Sequence, residues 1–421
     1  MDAATVASPQ HPLVSVVIPT HNRPRLLARA LRSVLDQTLE DFEVVLVNDG
    51  GASVEPIVAA LGSSRIRLLE DLREAQGAAV ARNRGLSEAR GKYVAYLDDD
   101  DIYLPNHLAL LANALERSSQ RVAYSDALRA HTLGDGDDLH VVYRDRPYAY
   151  TYERAMLMYA NQVPTLCIMH ERALIDETGS FDTEYSVAED WELWCRMAMR
   201  TDFLYIPQVT CEYIVRVHGV GLTLNAAHRY PGFEHSIRRR NGSPLDGSGL
   251  ARYQLLREQR GILGNFGIGE AAWVEQSLRT LFKCAPHDTQ LATEIAIFAL
   301  LRGDAEEGLA LLRSGVSRSP GHGFACLILA YGELLRGNAR AGLEALHAAP
   351  LSRQNHSVHI AYGDCFLALG EFAKASERYQ TAIALKARHT APIARLSNLQ
   401  VLQDLSAMPA VEWGQGHSSQ A

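Results

Sequence analysis

No stretch of this 421-residue chain stays apolar for the roughly 18 residues that a membrane span requires. The longest candidate, around Ile295 to Leu301, is short and follows Glu294. Met1 to Pro12 lacks a basic region leading into an apolar core, so no secretory signal is expected there. The six cysteines (Cys167, Cys195, Cys211, Cys284, Cys326 and Cys365) are scattered, with no Cys-x-x-Cys pair. That spacing argues against a disulfide framework or a zinc site and suits a reducing compartment. There is no excess of positive charge: the formal net charge is −8. A general nucleic-acid binder needs a broad basic surface, so that class is set aside. Both common phosphate loops are also missing, since no G-x-G-x-x-G follows the first apolar run and no G-x-x-x-x-G-K-[ST] occurs.

What remains is an ordinary soluble composition, 47% hydrophobic and 21% charged, with length enough for two or three domains. The most unusual stretch is Tyr93-Val94-Ala95-Tyr96-Leu97 followed at once by Asp98, Asp99, Asp100 and Asp101. The apolar run reads as a buried strand, and the carboxylates after it repel one another. A hard divalent cation with oxygen ligands is the simplest relief. Leu13 to Ile18, Phe42 to Val47 and Ile66 to Leu69 read as further strands, with helical periods over Arg25 to Leu39 and Ala78 to Ala89. Such alternation implies a mostly parallel sheet with helices on both faces and a ligand site beyond the strands' carboxyl ends. The segment His131 to Tyr152 reads as loop, and Glu189 and Asp190 open a helix that continues through Trp191 and Trp194.

Around Arg238 to Gly249 the composition turns basic and then rich in Gly, Ser, Pro and Asp, which marks a domain boundary. The run Arg238-Arg239-Arg240 is expected at a solvated helix end. Beyond it, Leu-Leu-Arg-Gly-Asp at 300–304 recurs as Leu-Leu-Arg-Gly-Asn at 334–338 and Leu-Ala-Leu-Gly-Glu at 367–371. Gly269, Gly303, Gly337 and Gly370 step at 33 or 34 residues, the period of tetratricopeptide (TPR) repeats. The expected organisation is a tail at 1–12, an α/β domain at 13–235, a linker at 236–254, TPR-like helices at 255–403 and a tail at 404–421.

With these residues in place, 13–230 resembles the family 2 glycosyltransferases of the GT-A fold. The resemblance rests on six motifs in order: Val17-Ile18-Pro19-Thr20-His21-Asn22-Arg23, Asn48-Asp49-Gly50-Gly51, Ala81-Arg82-Asn83-x-Gly85-Leu86, Asp98 to Asp101 with Pro105 behind it, Glu189-Asp190-Trp191, and Tyr213-x-x-Arg216-x-His218. It implies a Rossmann-like α/β GT-A domain with a mostly parallel central sheet, followed by the all-α repeats. Pro19, Thr20 and His21 would line a nucleoside pocket, and Asp49 would accept a hydrogen bond from a base imide of a UDP, dTDP or GDP donor. The family usually has two acids there, and Asn48 replaces the first. Asp98 or Asp99 would hold the ribose hydroxyls, while Asp100, with His218, would hold Mn²⁺ or Mg²⁺.

Asp190 would act as general base in an inverting transfer, which needs one carboxylate to take the acceptor proton. Glu189 and Trp191 would touch the sugar or the acceptor. The family's processive synthases carry Q-x-x-R-W and membrane spans, and the absence of both here implies transfer of a single sugar. The acceptor class stays open among glycan, lipid-linked and protein hydroxyls, in a bacterial-type surface glycan or glycoconjugate pathway. A cytoplasmic site, peripheral at most to the inner face of a membrane, fits this. A sugar nucleotidyltransferase would want a glycine-rich basic loop where Thr20 to Pro24 stands. A TPR scaffold with an inactive sheet domain, binding a partner or a second copy through its repeats, is the other alternative.

Overall fold

The computed structural model describes residues 11–71, 74–134, 139–148, 151–216, 230–241, 244–266, 271–348, 355–386 and 390–407. It opens with β1 (Val14–Thr20), α1 (Pro24–Leu35), β2 (Phe42–Asp49), α2 (Glu55–Leu61), β3 (Ile66–Asp71), α3 (Ala78–Glu88) and β4 (Tyr93–Tyr96). Every residue of β1 is buried, as its unbroken apolar run requires of a strand covered on both faces. Pro24 starts α1, whose buried face is Leu26, Leu27, Ala30, Leu31 and Val34. Helix α3 lies close on β1 because Gly85 has no Cβ; one placed there would stand 2.4 Å from Val17 Cγ1.

The chain continues through β5 (Ile102–Tyr103), α4 (His107–Glu116), β6 (Val122–Leu133), β7 (His140–Asp145), α5 (Arg154–Tyr159), β8 (Ile168–Glu171), α6 (Leu174–Thr178), α7 (Glu189–Ala198) and β9 (Phe203–Arg216). The sheet order is β3-β2-β1-β4-β8-β6-β9-β5, with β7 paired to β6. The parallel arrangement holds from β3 to β4. Beyond that point β8 runs antiparallel to both β4 and β6, so the whole sheet is mixed. His131 to Tyr152 is not simply loop, for β6 and β7 form an antiparallel hairpin. Its strands hide their period because charged groups pair between strands, Arg129 of β6 with Asp145 of β7 and Arg144 of β7 with Glu212 of β9.

Ten helices follow among the described residues: α8 (Tyr230–Asn241), α9 (Gly247–Phe266), α10 (Ala271–Cys284), α11 (Thr289–Arg302), α12 (Ala305–Arg318), α13 (Gly323–Leu335), α14 (Ala339–Ala348), α15 (His356–Ala368), α16 (Phe372–Leu385) and α17 (Thr390–Ala407). The stretch 236–254, expected as a linker, instead runs through the end of α8 and the first turns of α9. The arginine run is not a solvated helix end either. Arg238 is fully buried, and Arg240 pairs with Asp182 and Glu192.

The repeat signal has a direct physical origin. Gly303, Gly337 and Gly370 have φ of 95°, 79° and 74°, the left-handed region in which a helix ends most cheaply on glycine. The next residue then caps the following helix in two of the three cases: Asp304 accepts from Glu307 N and Asn338 from Ala341 N. Each period is thus one stop and one restart, and α11–α12, α13–α14 and α15–α16 pack as successive helix pairs, with Ala375 and Tyr379 of α16 in the cluster that also holds Met156 and Tyr159 of α5.

Candidate active site

Two clefts of about 360 Å³ each open beyond the carboxyl ends of β1, β2 and β4. They share a wall made by Ala78, Arg82, Asp98 and Tyr213. The first is lined by Pro19, Thr20, His21, Asp49, Asp98, Asp99 and Asp100, which brings together seven residues singled out from the sequence. The second is lined by Glu189 and Asp190 on one side and by Asn161, Thr165, Tyr148 and Tyr213 on others. The Tyr148 and Tyr213 rings stand nearly perpendicular, centroids 6.1 Å apart.

In the first cleft the aspartates are met by arginines. Thr20 Oγ1 donates to Asp99 Oδ2 at 2.8 Å, and Arg23 Nη1 donates to Asp99 Oδ1 at 3.0 Å and to Asp100 Oδ2 at 2.9 Å. Arg216 reaches Asp100 from β9 at 3.4 Å. Burial, with the Asp100 charge beside it, pushes Asp99 up to about 6 against the pull of Arg23 and Thr20. Burial raises Asp100 and Asp101 as well. Asp101 turns away from the cleft mouth to accept from Ile214 N at 2.8 Å, which ties β9 to the end of β4.

Asp49 lines the cleft with its carboxylate already held by backbone N–H groups, Gly77 at 2.7 Å and Gln76 at 3.0 Å, where α3 begins. His21 Nδ1 lies 2.9 Å from the Asp49 carbonyl. Asn48 is buried and donates to Ala52 O at 2.9 Å and Glu70 Oε1 at 3.2 Å, so its amide braces the turn after β2.

Arg82 joins the two clefts. Buried on α3, it donates to Asp98 Oδ1 and to Glu189 Oε1, both at 2.6 Å. Burial works against its charge, but Asp98 and Glu189 outweigh that and hold the guanidinium more firmly protonated than usual. Asp190 has a different environment. Thr165 Oγ1 donates to it at 2.8 Å, Trp191 N at 2.7 Å and Asn161 Nδ2 at 3.3 Å. Burial and the adjacent Glu189 push Asp190 up to about 6, while Thr165 and Arg82 pull the other way. The residue before this pair, Ala188, has φ 62°, and Asn22 beside the first cleft has φ 54°. They are the two non-glycine residues with positive φ among those described, and backbone strain of this kind is held where position matters.

Trp191 does not touch either cleft. It is fully buried, its indole N–H donating to Leu157 O at 2.6 Å, because a helix start aims successive side chains in different directions. His218 lies outside the described residues. Arg23, Arg82, Asn161, Thr165 and Arg216 carried no sequence assignment of their own. For Arg82 the available signal was a lone arginine on an α3 face otherwise built of Ala78, Ala81 and Gly85. Among the described residues no group of three or more His, Cys, Asp or Glu side chains is arranged to hold a metal ion.

Residues 15–167 match the family model for glycosyl transferase family 2. The uncharacterized glycosyltransferase YwdF of Bacillus subtilis is 33% identical over 186 residues, 44% of this chain and 68% of that protein. The putative colanic acid biosynthesis glycosyl transferase WcaA of Escherichia coli is 27% identical over 236 residues, covering 54% and 81%. Among solved structures, S. aureus TarS 1–349 in complex with UDP-GlcNAc aligns with a TM-score of 0.45 at 14% identity, over 79% of this chain and 91% of that one. An α/β domain with its acidic strand end, two joined clefts and a relative 33% identical over 186 residues lead to one conclusion: the chain belongs to glycosyl transferase family 2, a glycosyltransferase of GT-A architecture with helical repeats behind it.

Proposed function

We propose that the protein moves one sugar, with inversion, from a nucleotide-diphospho-sugar in the first cleft to a hydroxyl in the second. The observation that carries this is the shared wall. Asp98 and Arg82 border both clefts, and Asp190 sits in the second, held mainly by uncharged donors. Pro19, Thr20 and His21 would line the nucleoside side, with Asp49 accepting from the imide of a uracil, thymine or guanine base. Asp98 or Asp99 would take the ribose hydroxyls. In the transfer, Asp190 accepts the acceptor's hydroxyl proton as that oxygen attacks the anomeric carbon. The bond from that carbon to the diphosphate breaks, and the nucleoside diphosphate leaves with the electron pair. Glu189, fixed by Arg82, faces the same cleft and suits a contact to the sugar.

The residues fit a divalent cation shared with the substrate better than a resident one. Mg²⁺ and Mn²⁺ sites of this sort use one or two carboxylates plus phosphate oxygens. Asp100 would hold it, with His218 as a further candidate, and the cation would supply Lewis-acid stabilisation of the leaving diphosphate. Arg23 and Arg216, which contact Asp100, would be placed to pair with phosphate oxygens of the donor. The kinship with WcaA favours a role in surface glycan or glycoconjugate synthesis. The 33- or 34-residue period with its glycine stops favours TPR-type repeats.

The test is a thermal-shift panel of UDP, GDP, dTDP, CDP and ADP, each with Mn²⁺ and with EDTA. One diphosphate, at about 100 times its Kd, should stabilise by roughly 2.7 kcal/mol only when metal is present. Asp100→Ala should lose the metal-dependent part. No shift with any diphosphate contradicts the proposal.

A further inference from the structure

The repeats meet the catalytic domain at α5, and the contact centres on one residue. Tyr159 is buried and gripped at both ends. Its carbonyl accepts from Arg238 Nε at 2.8 Å, and its hydroxyl accepts from Arg395 Nη1 at 2.9 Å. Both guanidinium groups lie over its ring, at 4.8 Å and 5.7 Å from the centroid. Arg395 is itself fully buried on α17, its charge balanced by Asp364 of α15 at 3.0 Å, and Tyr379 of α16 donates to the same carboxylate at 2.8 Å. Three repeat helices thus converge on one side chain of the catalytic domain. Apolar packing of Met156 against Leu367 and Leu399 already docks the two parts. A buried ion pair adds little to stability over apolar packing, and its recognised use is to fix one geometry.

What that geometry fixes lies two to six residues further on. Asn161 and Thr165 hold the Asp190 carboxylate, and Trp194 Nε1 donates to Val163 O between them at 3.1 Å. Segment 157–165 is therefore clamped between α7 on one side and Arg238 and Arg395 on the other. We infer that the repeats act as a brace for the acceptor side of the active site, with Arg395 and Arg238 as positioning residues that, through Tyr159, hold Asn161 and Thr165 on Asp190. This rests on the reading of Asp190 as the base. The charged groups facing Asp190 are Glu189 on its own helix and Arg82 from α3, with Asp98 and Asp101 lining the same cleft. None belongs to the brace, so loosening it changes the solvation of Asp190 rather than its charged neighbours.

The experiment uses the full chain, with hydrolysis of the donor nucleotide sugar chosen from the diphosphate panel as the turnover probe, water standing in as acceptor. Arg395→Gln should slow turnover by about 10²-fold, the cost of a misplacement near 1 Å, and leave diphosphate affinity unchanged. Amide exchange should accelerate at 157–165 but not in β1 or β4, and the acid limb of the pH profile should move to lower pH as water reaches Asp190. Arg395→Lys should restore part of the rate. Should Arg395→Gln fail to fold, Tyr159→Phe, which deletes only the hydroxyl that Arg395 grips, should show the same pattern with about a tenfold loss. Wild-type turnover and exchange in folded Arg395→Gln and Tyr159→Phe overturn the brace, as does an equal loss of turnover and diphosphate affinity with exchange raised throughout. Normal turnover in Asp190→Asn would overturn the reading beneath it instead, whatever the Arg395 variants do.

Discussion

Two acidic pairs flank the same shared wall, and Asp190 of one is treated in the opposite way to Asp99 and Asp100 of the other. At the end of β4, Asp99 and Asp100 are met by arginines: Arg23 pairs with both and Arg216 with Asp100. At the start of α7, Asp190 is held chiefly by a hydroxyl, an amide and a backbone N–H, and the nearby cation Arg82 is already committed to Asp98 and Glu189. The lesson is that a carboxylate's neighbours, not its identity, set its work. Ionic partners suit exchange of charge with a substrate, while neutral partners leave a buried carboxylate able to take a proton without first breaking an ion pair.

The contrast can be broken at several points. The largest effect belongs to Asp190→Asn, which should lower turnover about 10³-fold while metal-dependent diphosphate binding persists; a coupled assay of nucleoside diphosphate release measures it. Next comes Arg82→Gln, which strands Asp98 and Glu189 without their buried partner and should cost about 3–5 kcal/mol in denaturant unfolding. Asp190→Asn should also change stability, with a definite sign. The folded protein holds the Asp190 proton up to about 6, above the ordinary 3.8, so the group's contribution is full below 3.8 and lost as pH rises through 6. The variant should therefore exceed the wild type by about 1–2 kcal/mol at pH 8, and the gap should close below pH 4. Smallest is Thr165→Val. Removing a donor that favours the charged carboxylate should move the acid limb of the pH–rate profile upward by about 0.5–1 unit.

Much of this was legible from residue order. The buried strands and the α1 period are carried by local apolar spacing, and the aspartates were conspicuous because their charges follow a buried strand directly. The glycine stops of the repeats were visible because only glycine takes those φ values at little cost. The hairpin of β6 and β7 was hidden by cross-strand charge pairs that imitate a polar loop. Asn161 and Thr165 gave no signal, since their partner is 29 and 25 residues away and no period links them. Trp191 was misassigned because adjacency to Asp190 in sequence puts the two side chains in different surroundings. Arg395 joins Tyr159 across 236 residues, a contact that only the folded chain brings about.

The most direct test of the two-cleft account measures donor turnover against pH from 4.5 to 8.5 in the wild type and in Asp190→Asn, with diphosphate affinity followed in the same samples. The account predicts a wild-type rate that rises tenfold per unit and levels off near pH 6, and a flat, roughly 10³-fold lower rate in the variant with affinity intact. A variant that keeps both the rate and the acid limb near pH 6 would contradict it.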